Sequence, residues 1–327
     1  MQKSGLQPLN ITNFKIKRVN MRTSKDYFDF KYIAQYNFLR SIPTEIYPYI
    51  LKYKYKKELN KELNLKNPKT FTEKIQWLKL YNKNHLKALL SDKLASKKYA
   101  KKLIPEINVA KVYDVSNTFE SIDFSKCPNS FVLKTNHSWR TGSIVQNKSE
   151  LLDKNYNLYS RCYKGALNIN YAYWNFYELQ YKDIKPMVFA EELLFNEENK
   201  QKITEYEAYC FNGKVEFVRI CFNFCDNGKF YKRYGIWNRN AEQMNFALFF
   251  YINDKQLQLR SDFYKKVIEY SEILSSGIDF VRIDFLGTEN KLYFLETTFT
   301  PFSGFIKFIP DEFDLYYGEK LDINYTL

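Results

Sequence analysis

Histidine is almost missing from this chain. His85 and His137 are the only two among 327 residues. That nearly excludes histidine-based metal centres and Ser-His-Asp triads, which need imidazole as ligand or base. Cysteine is also sparse, with Cys127, Cys162, Cys210, Cys221 and Cys225 forming no Cys-x-x-Cys pair. An odd number without zinc-like spacing reads as reduced thiols in a cytoplasmic protein. No apolar run approaches the ~20 residues of a membrane-spanning helix. The longest candidate, Phe246 to Ile252, is far too short. The first residues, MQKSGLQPLNITNFKIK, lack the apolar core of a signal peptide. Internal repeats, low-complexity linkers and nucleic-acid motifs are absent as well.

Positive charge is plentiful. Fifty Lys and Arg against 37 Asp and Glu give a net charge of +13. The lysines are scattered, so the charge points to an anionic partner without naming one. A low-GC genome would give the same abundance of Lys, Asn, Tyr and Phe.

Periodicity divides the chain. Residues 1 to about 24 are polar and carry no clear pattern. Residues 26–66 have helical spacing, interrupted by Pro43 and Pro48. Thr70 with Glu73 fits a capping box that opens the next helix. Ser91-Asp92 caps another that runs to Leu103. FVLK, from Phe131, reads as a buried strand with SIV, after Gly142, as its hairpin partner. Residues 149–182 return to helix. The runs 187–194, 203–211, 215–222 and 229–237 read as successive strands of one antiparallel sheet, and 256–275 as a helix. This order indicates an α+β fold. Three units are expected: an N-terminal polar and helical extension at 1–66, a central region at 67–186 and a C-terminal region at 187–327.

The stretch VRIDFLGTENKLYFLETTFTP, 281–301, carries the sharpest chemistry. Two strand-like runs flank a polar turn near Asn290. Folding back there makes Asp284 and Glu296 cross-strand neighbours. Strict alternation puts Phe280, Arg282 and Asp284 on one face, and Leu292, Phe294 and Glu296 on one face. Adjacent carboxylates repel unless a cation lies between them, and hard oxygen ligands suit Mg²⁺. Arg282 points the same way and can meet an anion. Solvated acids on an exposed hairpin are the bland alternative. Lys93 lies in the first turn of a helix, and Lys134 ends a buried strand. Lysine is rarely buried unless paired, so Lys134 either meets an anion or extends to solvent. The loop after it, TNHSWRTGS, has the polar groups to lie over phosphates. MVFAEELL offers main-chain groups beside apolar Leu193 and Leu194, which suit an adenine edge and ring.

The order of these pieces resembles the ATP-grasp fold, and within it the TupA-like subfamily, named for teichuronopeptide biosynthesis. The stretches NPKTFTEKIQWLKLY, LSDK, FVLKTNH, NYAYW, ELQYKDIKP, EAYCFNGK, VRIDF and ETTFTPFSGF carry the resemblance over about 50–322. It implies that ATP is held between two α+β subdomains and phosphorylates a carboxylate, whose acyl phosphate an amine then attacks. By the same resemblance Lys93 and Lys134 contact ATP phosphates, and Glu191, Glu192 and Leu194 belong to the adenine hinge. Asp284 and Glu296 hold Mg²⁺, with Thr298 where many ATP-grasp enzymes have Asn. Arg282 steadies the acyl phosphate and the tetrahedral intermediate, and Lys134 joins it in catalysis.

Three departures stand out. N-H-S-W-R-T-G replaces the subfamily's N-H-G-S-G, with Arg140 as a substitute phosphate contact. Glu205-Tyr206-Glu207 replaces D-Y-K, removing a lysine, and T-P-F-S-G replaces T-P-G-S-G. The subfamily name implies a uronic acid of a capsular or other surface glycan as acceptor, joined to a small amine. It also places the protein beside membrane-associated polysaccharide machinery, with no nucleic acid involved. A glycosyltransferase of the same pathway and a catalytically silent ATP-grasp binding protein are the rival readings. No D-x-D after a Rossmann-type strand supports the former.

Overall fold

The computed structural model describes residues 30–323, apart from 83, 140, 175, 196–202, 227–228 and 250–252. Helices α1 (Phe30–Ser41) and α2 (Tyr47–Leu59) come first, separated at Pro43, while Pro48 sits in the first turn of α2, where its missing N–H costs nothing. Helix α3 (Phe71–Tyr81) opens with the expected capping box between Thr70 and Glu73. A short helix, α4 (Leu86–Ser91), leads into α5 (Lys93–Leu103), whose N-cap is Asp92. Strands β1 (Asn108–Val109) and β2 (Val112–Ser116) follow, then β3 (Phe131–Thr135) and β4 (Ser143–Val145). Helix α6 (Tyr156–Leu167) ends at Asn168, and only one-turn pieces follow it before β5 (Val188–Glu191).

The second half is mostly sheet. Strands β6 (Thr204–Phe211), β7 (Lys214–Asp226) and β8 (Lys229–Asn238) form a meander, and β9 (Ala247–Leu248) is a short addition. Helix α7 (Ser261–Leu274) precedes the hairpin of β10 (Phe280–Gly287) and β11 (Leu292–Thr298). Strand β12 (Phe308–Ile309) and helix α8 (Glu312–Lys320) close the described chain. The α7 helix starts at Ser261, later than its periodicity predicts. Arg260 is held in extended backbone there, donating to the Thr288 and Glu289 carbonyls while its guanidinium lies over the Phe263 ring.

Two sheets organise the molecule. The larger has the order β1-β11-β10-β6-β7-β8 and the smaller β2-β5-β3-β4. Strand β5 therefore pairs with β2 and β3, not with β6 as its place in the sequence predicts. The small sheet thus extends past the expected boundary at 187, while β1 of the central region joins the large sheet. One face of the large sheet is apolar. Val281, Ile283 and Phe285 of β10 and Ala208 and Cys210 of β6 pack there with Phe263 and Val267 of α7 and Ala100 of α5. Burying each large apolar side chain contributes about 1.5–3 kcal/mol. At one end of the other face Phe71 of α3 meets Phe211, Phe280 and Tyr317. The rest of that second face is charged.

Cys127, Cys162, Cys210 and Cys221 are buried and take part in no disulfide among the described residues. Among the described residues no helix is long and apolar enough to cross a membrane.

Candidate active site

Arg282 and Asp284 stand on the charged face of β10. Asp284 faces Glu296 of β11 on one side and Glu207 of β6 on the other. The hairpin turns at the expected place, where the Thr288 amide donates to the Lys291 carbonyl. Strict alternation fails along β11. Glu296 opposes Asp284, but the next pair is Phe294 with Phe285, so Leu295 is bulged out of the ladder. Leu292 and Phe294 consequently belong to the apolar core, and do not share the face of Glu296 as simple alternation predicts. Bulges re-aim side chains near active sites in this way. Beyond it Thr297 turns inward to donate to the Leu90 carbonyl, and Thr298 returns to the charged face.

Each acid there has a cation. Arg282 grips Asp284 through two hydrogen bonds, Nε to Oδ1 at 2.7 Å and Nη2 to Oδ2 at 2.6 Å. Its Nη2 also donates to Thr298 Oγ1 at 3.3 Å, and its Nη1 is 3.9 Å from Glu207 Oε2. Burial pushes the Asp284 carboxyl above its usual range despite Arg282. Lys93 Nζ lies 2.9 Å from Glu296 Oε2 and donates to the Ser138 carbonyl at 2.7 Å. Burial would raise Glu296 too, but Lys93 overrides it and holds the carboxyl below its usual range.

The second group of charges centres on Glu191 at the end of β5. Its carboxylate is buried between Lys134 Nζ at 2.5 Å and Lys97 Nζ at 2.8 Å. Burial alone would raise Glu191, yet the two ammoniums hold it below the usual carboxylate range. Glu191 is therefore not a solvated acid at the strand end. Its main chain pairs with β2 and β3, and its side chain sets the positions of two lysines. Glu192 turns to the edge, its amide donating to the Lys111 carbonyl and its carboxylate accepting from the Lys111 amide. Leu193 and Leu194 follow half-buried.

Asn136 ties the two groups together. Its amide group donates to Asp92 Oδ2 at 2.8 Å and to the Lys185 carbonyl at 3.0 Å, while its carbonyl accepts the Lys93 amide. The start of α5 is thereby fixed to the ends of β3 and β5, and so is Lys93 relative to Lys134. Arg140 lies outside the described residues. Of the same loop, Thr135, Ser138 and Thr141 are buried and joined by their hydroxyls. His137 is buried edge-on to Tyr171. The described part of this loop is therefore tucked in.

Burial lowers His137 to about 4, from 6.5. The folded protein keeps this ring neutral, so its contribution is complete above pH 6.5 and fades as pH falls through 4. The shift corresponds to about 3 kcal/mol. The melting temperature of the wild type should drop between pH 6.5 and 4, and His137→Phe should flatten that drop. Equal slopes for both proteins would show that the ring does not control the loop.

Three site residues escaped the sequence reading of roles. Lys97 lies one helical turn after Lys93, and that spacing was the available signal. Glu207 shows only as a departure from D-Y-K. Arg219, which binds Glu207 through Nε and Nη2 at 2.7 Å each, gave no signal before the register of β6 and β7 was known.

The fit to Mg²⁺ follows from the donors. Among the described residues no three His, Cys, Asp or Glu side chains form a metal-holding group. Two register-paired carboxylates do lie on one face, and Mg²⁺ usually takes one or two carboxylates with the rest from substrate phosphates and water. Asp284 and Glu296 fit that need.

A family model described as TupA-like ATPgrasp matches residues 73–322. The chain belongs to the TupA-like ATP-grasp family. The α+β architecture of this ATP-grasp chain is the one the sequence resemblance implied. No curated protein matches it. Solved structures with a likeness include a D-alanine–D-alanine ligase from Bacillus anthracis complexed with ATP, at 15% identity over 64% of this chain, TM-score 0.39. The match spans just 55% of that ligase. The D-alanine–D-alanine ligase from Helicobacter pylori matches at 17% identity over 79% of this chain and 69% of its own, TM-score 0.40. The ATP-grasp ligase PsnB, complexed with a phosphomimetic precursor variant, Mg and ADP, matches at 12% identity over 71% and 59%, TM-score 0.40.

Proposed function

We propose that this TupA-like ATP-grasp chain is an ATP-dependent carboxylate–amine ligase acting on a uronic acid of a surface glycan. The observation that carries this reading is the register of Asp284 with Glu296, beside Arg282 and within reach of Lys93. A carboxylate is a poor electrophile because its charge is delocalised and its oxygen leaves badly. In the proposed reaction a carboxylate oxygen attacks the γ-phosphorus of ATP, and ADP leaves. The amine then attacks the acyl carbon, and phosphate leaves with release of one proton.

The residues divide this work. Lys93 and Lys134 offset charge on the phosphates, and Glu191 keeps Lys134 aimed. Mg²⁺, when bound by Asp284 and Glu296 with Thr298 alongside, supplies Lewis-acid neutralisation of the phosphoryl oxygens. Arg282 presents a fixed guanidinium to the oxyanion of the tetrahedral intermediate. The Thr135–Thr141 loop keeps water away from the acyl phosphate. Net charge of +13 suits an acidic sugar, and a small amine is the second substrate. The acceptor glycan would be met beside membrane-associated machinery in the cytoplasm.

The test uses Mg·ATP, hydroxylamine and a panel of uronic acids. Hydroxylamine traps acyl phosphates as hydroxamates, so the natural amine need not be known. Mg·ATP should raise the melting temperature by linkage, and Lys134→Ala should lose that rise. One uronate should yield hydroxamate and ADP in equal amounts. Arg282→Ala should lower that rate by about 10²–10³, the scale of losing one oxyanion donor. Release of UDP from a UDP-sugar without ATP consumption would replace the ligase by a glycosyltransferase. ATP binding without any hydroxamate would favour a silent binding protein.

A further inference from the structure

Two phenylalanines beside this site adopt a backbone conformation that L side chains rarely take. Phe249 has φ of 58° and Phe302 φ of 52°, and Ser303 and Gly304 continue the left-handed run at 56° and 75°. Though distant in sequence, the two rings meet with centroids 4.5 Å apart. Phe302 remains 39% exposed. Glycine would hold such a φ at no steric cost, while a bulky ring is a true outlier there. Strain of this kind persists where the surroundings impose it, and it clusters at ligand sites.

The surroundings here are specific. The Phe249 amide donates to the Lys307 carbonyl at 2.7 Å, and β9 pairs with β12, so both loops are pinned together. Beneath them the Arg219 guanidinium lies 5.6 Å from the Phe302 ring centroid and 5.2 Å from that of Tyr234. Arg219 binds Glu207, and Glu207 stands opposite Asp284 in the sheet. The exposed ring is thus one ion pair away from the row of acids that includes the proposed metal ligands.

We propose that Phe302, backed by Phe249, is the platform on which the carboxylate substrate lays the C–H face of a sugar ring. The acceptor site is then built for a cyclic sugar acid and disfavours an open-chain one. This rests on the ligase reading above and names the part of the substrate it leaves open. An aromatic face carries negative potential, and the polarised C–H groups of a pyranose meet it favourably. The cation under Phe302 fixes the ring by cation–π attraction. A rigid pyranose loses little freedom on landing, whereas a flexible chain pays for every bond it orders. The ligase reading requires the carboxylate of the seated ring to reach Arg282.

The test measures binding of methyl glucuronoside and of gluconate to the full chain with Mg²⁺ and a non-hydrolysable ATP analogue. Calorimetry gives affinity, and saturation-transfer NMR reports which protons touch the protein. The wild type should bind the glycoside more tightly, with saturation concentrated on the ring C–H protons. Phe302→Ala and Phe302→Gly should weaken it about tenfold, while Phe302→Tyr stays near wild type. The glycine variant should melt no lower than the wild type, because it relieves the φ, so a loss of binding there is not a loss of fold. Unchanged affinity in Phe302→Gly overturns the platform. So does wild-type binding of gluconate as tight as that of the glycoside, or of neither. Tight, Phe302-dependent binding without hydroxamate formation would remove the ligase reading and leave the platform in place.

Discussion

Asp284→Asn should abolish turnover in a protein that stays folded. The substitution keeps the size of the side chain and removes its charge. Asp284 is buried and gripped bidentately by Arg282, with Glu207 and Glu296 opposite it on the neighbouring strands. Burial already raises its carboxyl, so a neutral amide is a tolerable substitute for the fold. Removing one of three neighbouring acids also relieves repulsion. Arg282 retains Glu207 and Thr298 as partners. The proposed chemistry has no such reserve, since a carboxylate ligand to Mg²⁺ cannot be replaced by an amide of the same shape. Under the proposed reaction, ADP release with the carboxylate that the panel identifies should fall by about 10³, the upper scale for loss of one preorganised charge contact. Glu296→Gln should behave alike. Melting temperatures near wild type would confirm that the fold is intact. Wild-type rates in both variants would end the metal-site assignment.

Glu191→Gln should have the largest effect on stability, about 3–5 kcal/mol, the usual result of breaking a buried ion pair from one side. The change leaves Lys97 and Lys134 facing a neutral amide, with Glu191 and Lys97 almost closed to water and Lys134 half-buried. Lys97 is buried as well, and its own burial already lowers its pKa. Chemical denaturation at pH 7 checks the size of the loss. The pH dependence checks its cause. Glu191 is depressed in the folded protein, so its stabilisation is complete above the ordinary value of 4.5 and is lost as pH falls through the folded one. The gap between wild type and Glu191→Gln should therefore close in acid. A gap that is constant with pH would mean that shape, not charge, is what Glu191 supplies.

Much of the site was legible in short stretches of chain. The capping box at Thr70 and Glu73, the N-cap at Asp92 and the hairpin turn before Lys291 are local devices that need only a few residues. The pairing of Asp284 with Glu296 belongs with them, because a tight turn sets the register of the strands it joins. Lys97 was legible in principle by helical spacing from Lys93. The bulge at Leu295 was not, since an extra residue in one strand has no marker among LYFLETT. It moves Leu292 and Phe294 to the core while Glu296 stays with Asp284.

What this sequence determined by itself is the set of local elements, the acidic hairpin and, through several long motifs, the family. Periodicity and capping act within one or two turns, and their energies do not depend on distant chain. What only the tertiary structure decided is which charges neutralise one another. Glu191 meets Lys134 because β5 joins β3, and meets Lys97 because α5 packs beside them. Arg219 reaches Glu207 through the register of β6 with β7, and Phe302 reaches Phe249 through the pairing of β9 with β12. An ion pair or ring contact depends on a few ångströms of separation, and residues far apart in the chain acquire that separation only when the sheets have formed.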